Sequence, residues 1–256
     1  MSEESGRSSI KVSTFLGREK LKKFTRPRRS GFLLEMKDLI CACSWSSGKD
    51  SCYALYKAIK DGYQVKYLFN FISFEYSRVS FHGIKDNLVH LQSEALGIPL
   101  IQKQTTKENY EEVFRKTLKE LKDLGISQII RGDIYLQDLY DWVENICNSE
   151  GLKVISPLWR KPTEDILMGF VKEGFKAIVT CVDAKKLDKS WVGRIIDEDF
   201  IKELKEIKEV DLCGEKGEYH SFVYAGPIFK KRINITKFEK VLINGFWFLD
   251  IKEFNF

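Results

Sequence analysis

The stretch of sequence that decides the fold covers residues 38–51 and reads Asp-Leu-Ile-Cys-Ala-Cys-Ser-Trp-Ser-Ser-Gly-Lys-Asp-Ser. A short apolar run gives way to a loop of small residues at 46–51, and an amphipathic segment follows at 52–59. A buried strand, a small-residue loop and a helix start in this order are typical of an anion site, because free backbone N–H groups and the positive helix end face the ligand. The sequence therefore predicts an anion-binding site at the 46–51 loop.

The two charged residues of the 46–51 loop point to a nucleotide that brings a metal ion. Lys49 adds a positive charge for phosphate groups, and Asp50 is explained if Mg²⁺ arrives with them, since Mg²⁺ binds through carboxylates and phosphates. A Walker A loop is excluded, because Cys43 and Asp50 stand where that motif has Gly and Ser or Thr. The alternative interpretation is a solvated turn in which Ser51 caps the following helix.

The charge of the chain is concentrated at its beginning. Residues 1–35 carry nine Lys/Arg and four Asp/Glu, which accounts for the net charge of +5, because the remaining 33 basic and 33 acidic residues cancel. We expect 1–35 to be a basic, disordered extension, and a neutral body argues against a broad nucleic-acid surface. No apolar run approaches the roughly 18 residues that a membrane span needs. Six cysteines without a signal peptide favour reduced thiols and a cytoplasmic protein.

A zinc site is not expected from the cysteine and histidine pattern. Cys41 and Cys43 alternate on one face of the first strand beside apolar neighbours, which favours buried packing. The three histidines lie far apart and no Cys-x-x-Cys pair is present.

From residue 38 onward, short apolar runs alternate with amphipathic stretches. Strands are predicted at 39–43, 65–72, 99–102 and 126–130, and helices at 51–60, 82–96, 108–124 and 136–148. This order predicts an α/β fold, a parallel sheet with helices on both faces, whose ligands bind at the carboxyl ends of the strands. The 46–51 loop and Arg131-Gly132-Asp133 lie at such ends. Asp133 is expected to position nucleotide or metal, or alternatively to cap the next helix.

The pattern changes after residue 155, where we place the boundary between a nucleotide-binding domain at 36–155 and a smaller α+β domain at 156–256. Helices are predicted at 163–172 and 197–208, and strands at 177–181, 233–243 and 246–254. Asn244-Gly245 between the last two strands is a strong hairpin signal. The stretch 214–221 is interpreted as a loop that carries two carboxylates, a phenol and an imidazole, or alternatively as a hydrated turn.

Five motifs together resemble the diphthine–ammonia ligase family of the N-type ATP pyrophosphatases. They are the 46–51 loop, Ser-Arg-Val-Ser-Phe-His-Gly at 77–83, Arg-Gly-Asp-Ile at 131–134, Pro-Leu-Trp at 157–159, and Cys-Gly-Glu-Lys-Gly-Glu-Tyr-His-Ser-Phe-Val at 213–223, which leads into Gly-Pro-Ile-Phe at 226–229. The match covers roughly 38–233, and the last motif is the specific one. Ser47 departs from the family, which usually has Gly there, and Ser would be strained if a positive φ is required.

The resemblance implies an adenine nucleotide α-hydrolase-like fold and an ATP-dependent amide ligase that uses Mg²⁺. A carboxylate attacks the α-phosphorus of ATP, pyrophosphate leaves, and free ammonia displaces AMP; the acid is diphthine on translation elongation factor 2. The implied catalytic residues are Lys49, Asp50 and His220, with Asp50 also as metal ligand. The implied nucleotide-binding residues are Ser46, Ser47, Gly48, Lys49, Asp50, Ser51, Gly132 and Asp133. The implied substrate-binding residues are Arg78, Ser80, His82, Glu215, Gly217, Glu218, Tyr219 and His220.

Three other functions remain open from the sequence. The first is a ligase of the same family that acts on a different carboxylic acid. The second is a tRNA sulfur-transfer enzyme, which would need a catalytic cysteine pair and an RNA surface. The third is a nucleotide-sensing module that has lost turnover through Ser47.

Overall fold

The computed structural model describes residues 40–74 and 83–256. The predicted basic extension at 1–35 lies outside the described residues. So do Arg78, Ser80 and His82, whose predicted substrate contacts stay predictions.

The first half of the described chain forms a five-stranded parallel sheet in the order β3-β2-β1-β4-β5. Its strands are β1 (Ile40–Ser44), β2 (Gln64–Ser73), β3 (Leu100–Thr105), β4 (Gln128–Ile130) and β5 (Lys153–Ile155). The helices between them are α1 (Lys49–Lys60), α2 (Asp86–Leu96), α3 (Tyr110–Asp123) and α4 (Gln137–Ser149). The predicted parallel α/β fold is therefore confirmed, and β5 is a strand that the sequence pattern did not reveal.

Helices cover both faces of this sheet, as predicted. Cys41 and Cys43 are buried on one face in a hydrophobic cluster with side chains of α1 and α2. Ala42, between them, belongs to a second cluster with α3 and α4. The alternation follows from strand geometry, in which successive side chains point to opposite faces. All six cysteines are buried and free of disulfides.

The second half forms a four-stranded antiparallel sheet in the order β7-β6-β9-β8. It contains α5 (Thr163–Lys172), β6 (Lys176–Asp183), a 3₁₀ turn (Lys189–Trp191), α6 (Glu198–Lys205), β7 (Tyr219–Ala225), β8 (Asn234–Ile243) and β9 (Phe246–Asn255). The hairpin prediction is confirmed, since Asn244 and Gly245 both have positive φ, 50° and 83°. The interpretation of 214–221 as a loop was wrong at its end, because β7 begins at Tyr219.

One buried hydrophobic cluster joins the two sheets. Tyr53 and Tyr56 of α1 pack edge-on against Phe175, which follows α5, with centroid distances of 6.1 and 5.2 Å. Helix α5 approaches α1 so closely that a side chain at Gly169 would clash with the Tyr53 hydroxyl. This packing fixes α5 and the chain that follows it against α1. Within residues 40–74 and 83–256, no helix is both long and apolar enough to cross a bilayer.

Candidate active site

The 46–51 loop connects β1 to α1 at the carboxyl edge of the parallel sheet. Gly48 is the N-cap of α1, and the helix begins at Lys49, two residues earlier than expected. The alternative in which Ser51 caps the helix was wrong. Its hydroxyl instead lies inside the first turn, where it donates to the Gly48 carbonyl (3.1 Å) and accepts from the Ser46 N–H (3.3 Å).

Ser47 adopts the conformation that the usual Gly would permit without strain. Its φ is +73°, which costs a residue with a side chain roughly 1 kcal/mol. The carbonyl oxygen of Ser47 accepts hydrogen bonds from Gln92 Nε2 (3.0 Å) and from the Val223 N–H (3.1 Å). Its hydroxyl is completely buried and has no hydrogen-bond partner among the described residues. The loop therefore holds a strained backbone and an unused polar group at the same position.

Lys49 is buried inside the protein, whereas we expected an ammonium group open to phosphate. Its Nζ lies 2.9 Å from an Asp50 oxygen, donates to the carbonyl of Cys213 and sits 4.7 Å from the ring centroid of Tyr219. Burial opposes the charge, but Asp50 and Tyr219 outweigh it and raise the pKa of Lys49 well above its ordinary value. Lys49 therefore ties the 46–51 loop to the chain just before β7.

The chain after β4 lies directly against the start of α1. A Cβ on Gly132 would come within 2.7 Å of the Asp50 carbonyl carbon and the Ser51 nitrogen, so only glycine fits there. Arg131 and Asp133 form a two-point ion pair with each other, with distances of 2.5 and 2.9 Å. The alternative in which Asp133 caps α4 was wrong, because Leu136 occupies the N-cap.

The 211–218 loop, which precedes β7, is built around two carboxylates. Asp211 Oδ1 accepts hydrogen bonds from the backbone N–H groups of Cys213 (2.9 Å) and Glu215 (3.3 Å). Glu218, whose exposure is 0%, accepts from the N–H groups of Asp211 (3.1 Å) and Lys216 (2.9 Å). The geometry thus assigns the Glu218 carboxylate to the loop backbone, which is a correction to its expected contact with substrate.

Glu215 is the carboxylate of the 211–218 loop that lies near the 46–51 loop. Burial, followed by the negative charges of Asp50 and Asp211, raises the pKa of Glu215 to about 8, although Lys49 opposes the shift. The Tyr135 side chain, 36% exposed, lies beside the same acids, and its pKa is raised by burial and then by the negative charges of Asp211 and Glu215. Gly217 has a φ of +82°, so its place in the motif is explained by the turn.

Two side chains of β7 turn toward the 46–51 loop. The Ser221 hydroxyl accepts the backbone N–H of Lys49 (3.2 Å), and the buried Tyr219 donates its hydroxyl to the Leu212 carbonyl (2.6 Å). Tyr219 therefore supports Lys49 and lacks the exposed surface that a substrate contact would need. His220 lies between them on the strand, where side chains alternate between faces, and its predicted catalytic role stays a prediction.

Two polar residues that the sequence did not single out, Gln92 and Asn70, support the 46–51 loop from neighbouring elements. Gln92 of α2 accepts from Trp45 Nε1 (2.8 Å), and Asn70 of β2 donates to the Trp45 carbonyl (2.6 Å). The signal for Gln92 was a polar residue on the apolar stripe of a helix, between Leu88 and Leu96. The signal for Asp211 was its position three residues before Gly214, which is typical of a side-chain-stabilised turn.

The carboxylates at the site are chemically suited to bind a divalent cation, but they do not form a complete set of ligands around one position. Asp50 Oδ1 is buried and has no hydrogen-bond partner among the described residues. The mutual repulsion of Asp50, Asp211 and Glu215 is the kind that a cation relieves. No three His, Cys, Asp or Glu residues within 40–74 and 83–256 already stand in a metal-binding arrangement. Asp50 is therefore the residue that would hold Mg²⁺, together with phosphate oxygens.

Comparison with known proteins gives a consistent result over both sheets. Residues 39–154 match the diphthamide synthase N-terminal domain, and 162–255 match the diphthamide synthase C-terminal domain. The diphthine–ammonia ligase of Bos taurus is 30% identical over 223 residues, covering 77% of this chain and 82% of the relative. That of Mus musculus is 29% identical over 224 residues, covering 77% and 83%.

Two further similarities are partial. The diphthine–ammonia ligase of Schizosaccharomyces pombe is 30% identical over 217 residues, but this chain spans only 36% of its length. A solved structure, titled a predicted subunit of tRNA methyltransferase from Methanocaldococcus jannaschii, covers 66% of this chain at 16% identity. The TM-score between the two structures is 0.36. The two domain matches and the similarity to the bovine enzyme decide the family, and the chain belongs to the diphthine–ammonia ligases.

Proposed function

We propose that this protein adenylates the carboxylate of diphthine on translation elongation factor 2 and transfers ammonia to it, with release of AMP and pyrophosphate. The carboxylate oxygen forms a bond to the α-phosphorus of ATP while the bond to the β-phosphate breaks. The nitrogen of ammonia then attacks the acyl carbon, loses a proton and expels AMP. Membership of the ligase family and the site at the 46–51 loop support this assignment.

The observation that carries the proposal is a set of unused polar atoms at the carboxyl edge of the first sheet. Ser47 Oγ and Asp50 Oδ1 in the 46–51 loop, and Ser156 Oγ just after β5, are buried without hydrogen-bond partners among the described residues. Buried polar atoms normally have partners, so their absence points to a ligand or ion. The helix N-terminus at Gly48 supplies N–H groups that favour a phosphate at the same place.

Each group of the site then has a defined task. The N-terminal end of α1 stabilises the negative charge of the departing pyrophosphate. Mg²⁺, when bound through Asp50 and phosphate oxygens, supplies further charge neutralisation. Lys49 keeps the 46–51 loop and the 211–218 loop in contact, and Glu215 lies near the 46–51 loop, where the positive charge of a cationic substrate would favour its ionised form. The exposed ring of Tyr135 beside these acids replaces Tyr219 as the aromatic partner of a quaternary ammonium group.

The six cysteines disfavour the sulfur-transfer alternative. All of them are buried, and burial raises the pKa of Cys41 and of Cys181 to about 12. Reactive cysteines require an exposed, electropositive site with a lowered pKa.

The test is to measure AMP and pyrophosphate with purified protein, ATP, Mg²⁺ and ammonium, using elongation factor 2 that carries diphthine. We expect stoichiometric AMP that depends on ammonium, and none with elongation factor 2 that carries unmodified histidine. AMP formation with a small carboxylic acid alone would favour a ligase for a different acid. Tight ATP binding without any AMP would favour a nucleotide-sensing module.

A further inference from the structure

The side-chain amide of Gln92 is the centre of a buried network behind the 46–51 loop. Gln92 is completely buried on α2, and its Oε1 accepts the indole N–H of Trp45 at 2.8 Å. Its Nε2 donates to the carbonyl of Ser47 at 3.0 Å and to the carbonyl of Val223 at 2.6 Å. A glutamine amide has two N–H donors, so both are used. The amide orientation is fixed as well, because the indole only donates and the two carbonyls only accept.

This network joins three elements that are distant in sequence. Val223 is on β7, an edge strand, and both of its backbone groups turn to the first half of the protein: its N–H to Ser47 and its carbonyl to Gln92. Unpaired groups on a strand edge need partners when they are buried. Gln92 and Ser47 together supply these partners, so the side chain of α2 completes the docking of β7 onto the 46–51 loop.

The bond to Ser47 also determines where the loop presents its donors. The carbonyl of one residue and the N–H of the next share a rigid plane and point in opposite directions. Holding the Ser47 carbonyl toward Gln92 therefore directs the Gly48 N–H to the other side, toward the N-terminal end of α1. In this structure that N–H makes only a long contact of 3.4 Å with Ser46 Oγ. It is therefore a donor that a phosphate oxygen can take over.

We propose that Gln92 is a positioning residue for ATP binding, because its amide holds the positive-φ peptide at Ser47 that aims the Gly48 N–H at the phosphates and ties that loop to β7. The inference rests on the proposed function, since it concerns ATP at the same loop. Gln92 itself touches neither ATP nor the acid. Without it, Ser47 at φ +73° loses one of the two donors that hold it in a conformation unfavourable for residues other than Gly.

The test compares Gln92→Met with the control Ser93→Ala by titration calorimetry with Mg²⁺-ATP. Met keeps the unbranched shape but has no donor or acceptor of comparable strength. Ser93→Ala removes a hydrogen bond (Ser93 Oγ to the Ile98 carbonyl, 2.7 Å) from the same helix without touching the loop. We expect the Kd for ATP to rise about tenfold in Gln92→Met, as fewer molecules hold the competent loop. We expect it to stay within about twofold in the control, whose hydrogen bond lies outside the network.

A second variant separates positioning from general loss of structure. In the wild-type background Ser47→Gly removes a buried hydroxyl of the proposed site, so it should lower the ATP affinity. Added to Gln92→Met it should lower the affinity less, because Gly occupies positive φ without strain and so offsets part of the loss. Non-additivity of this kind is expected only when two residues act on one element.

The failures of the two proposals are distinguishable. Wild-type protein that does not bind ATP would contradict the proposed function before any variant is compared. Wild-type binding with an unchanged Kd in a folded Gln92→Met variant would contradict the role of Gln92. If Gln92→Met does not fold, Trp45→Phe removes the indole donor to the same amide together with part of a buried ring, and we expect a rise in Kd of about threefold. An unchanged Kd there would overturn the inference.

Discussion

The 46–51 loop and the 211–218 loop meet at Lys49, but the sequence predicts the structure of the first better than that of the second. In the 46–51 loop, the strand before it and the helix after it fix the backbone, and the prediction of its position is confirmed. In the 211–218 loop and at the start of β7, the motif residues are found at the site, but Glu218 and Tyr219 are turned inward. Polar residues in a motif can therefore shape the loop itself, and only the three-dimensional packing distinguishes these from residues that face a ligand.

The largest effect that would test this contrast is expected from Lys49→Ala. It leaves the buried Cys213 carbonyl and the partly buried Asp50 carboxylate without their partner, which should lower the free energy of unfolding by roughly 3–5 kcal/mol and abolish pyrophosphate release. Lys60→Ala is the control, because Lys60 pairs with Glu173 at the surface with its side chain 54% exposed; its cost should be below about 1 kcal/mol. Equal urea-denaturation midpoints for the two variants would contradict the buried pairing.

The second test compares the two glutamates of the 211–218 loop. Glu218→Ala removes the buried acceptor of two backbone N–H groups and should cost about 2–4 kcal/mol. Glu215→Ala removes a carboxylate with no such backbone bonds, so it should not lower the stability, whereas it should lower ammonia-dependent AMP formation. Urea denaturation and amide hydrogen exchange at Asp211 and Lys216 measure the difference. Faster exchange in the Glu215 variant would reverse the assignment.

The third test uses the pH dependence of stability. Because burial raises the pKa of Glu215 from 4.5 to about 8, the folded protein keeps this proton between those values while the unfolded chain has lost it. The free energy of unfolding should therefore fall as the pH rises from about 5 to 8, by roughly 1–3 kcal/mol. Glu215→Gln should flatten this slope in thermal unfolding measured across the range. An equal slope in both proteins would mean that a group other than Glu215 causes the pH dependence.

The smallest effect is expected from Ser47→Gly in the 46–51 loop. Glycine at φ +73° relieves the strain of a side chain, which should raise the free energy of unfolding by about 1 kcal/mol. Calorimetry should show this as a higher melting temperature. The matched substitution Ser46→Gly relieves no positive φ and should not stabilise the protein. A lower melting temperature for Ser47→Gly would mean that the buried hydroxyl contributes more than its strain costs.

The fold could largely be predicted because its signals are local. Helix α5 has the predicted bounds of 163–172, and the Asn244-Gly245 hairpin lies where its dipeptide indicates. The site could be predicted only in part, because its geometry depends on contacts between distant segments. The bond from the Lys49 N–H to Ser221 spans 172 residues. No periodicity or spacing encodes such a contact, so the burial of Lys49 and the role of Gln92 were not accessible from sequence.

The hydrophobic cluster shared by the two sheets has a consequence for how the protein unfolds. The rings of Tyr53 and Tyr56 on one side and Phe170 and Phe175 on the other form one packed group, with centroids 4.9–6.1 Å apart. Neither half can separate without exposing this surface to water, so the halves that match two family domains should melt together. This packing predicts a single cooperative unfolding transition, with equal calorimetric and van't Hoff enthalpies. Either half expressed alone would expose an uncovered apolar face and aggregate.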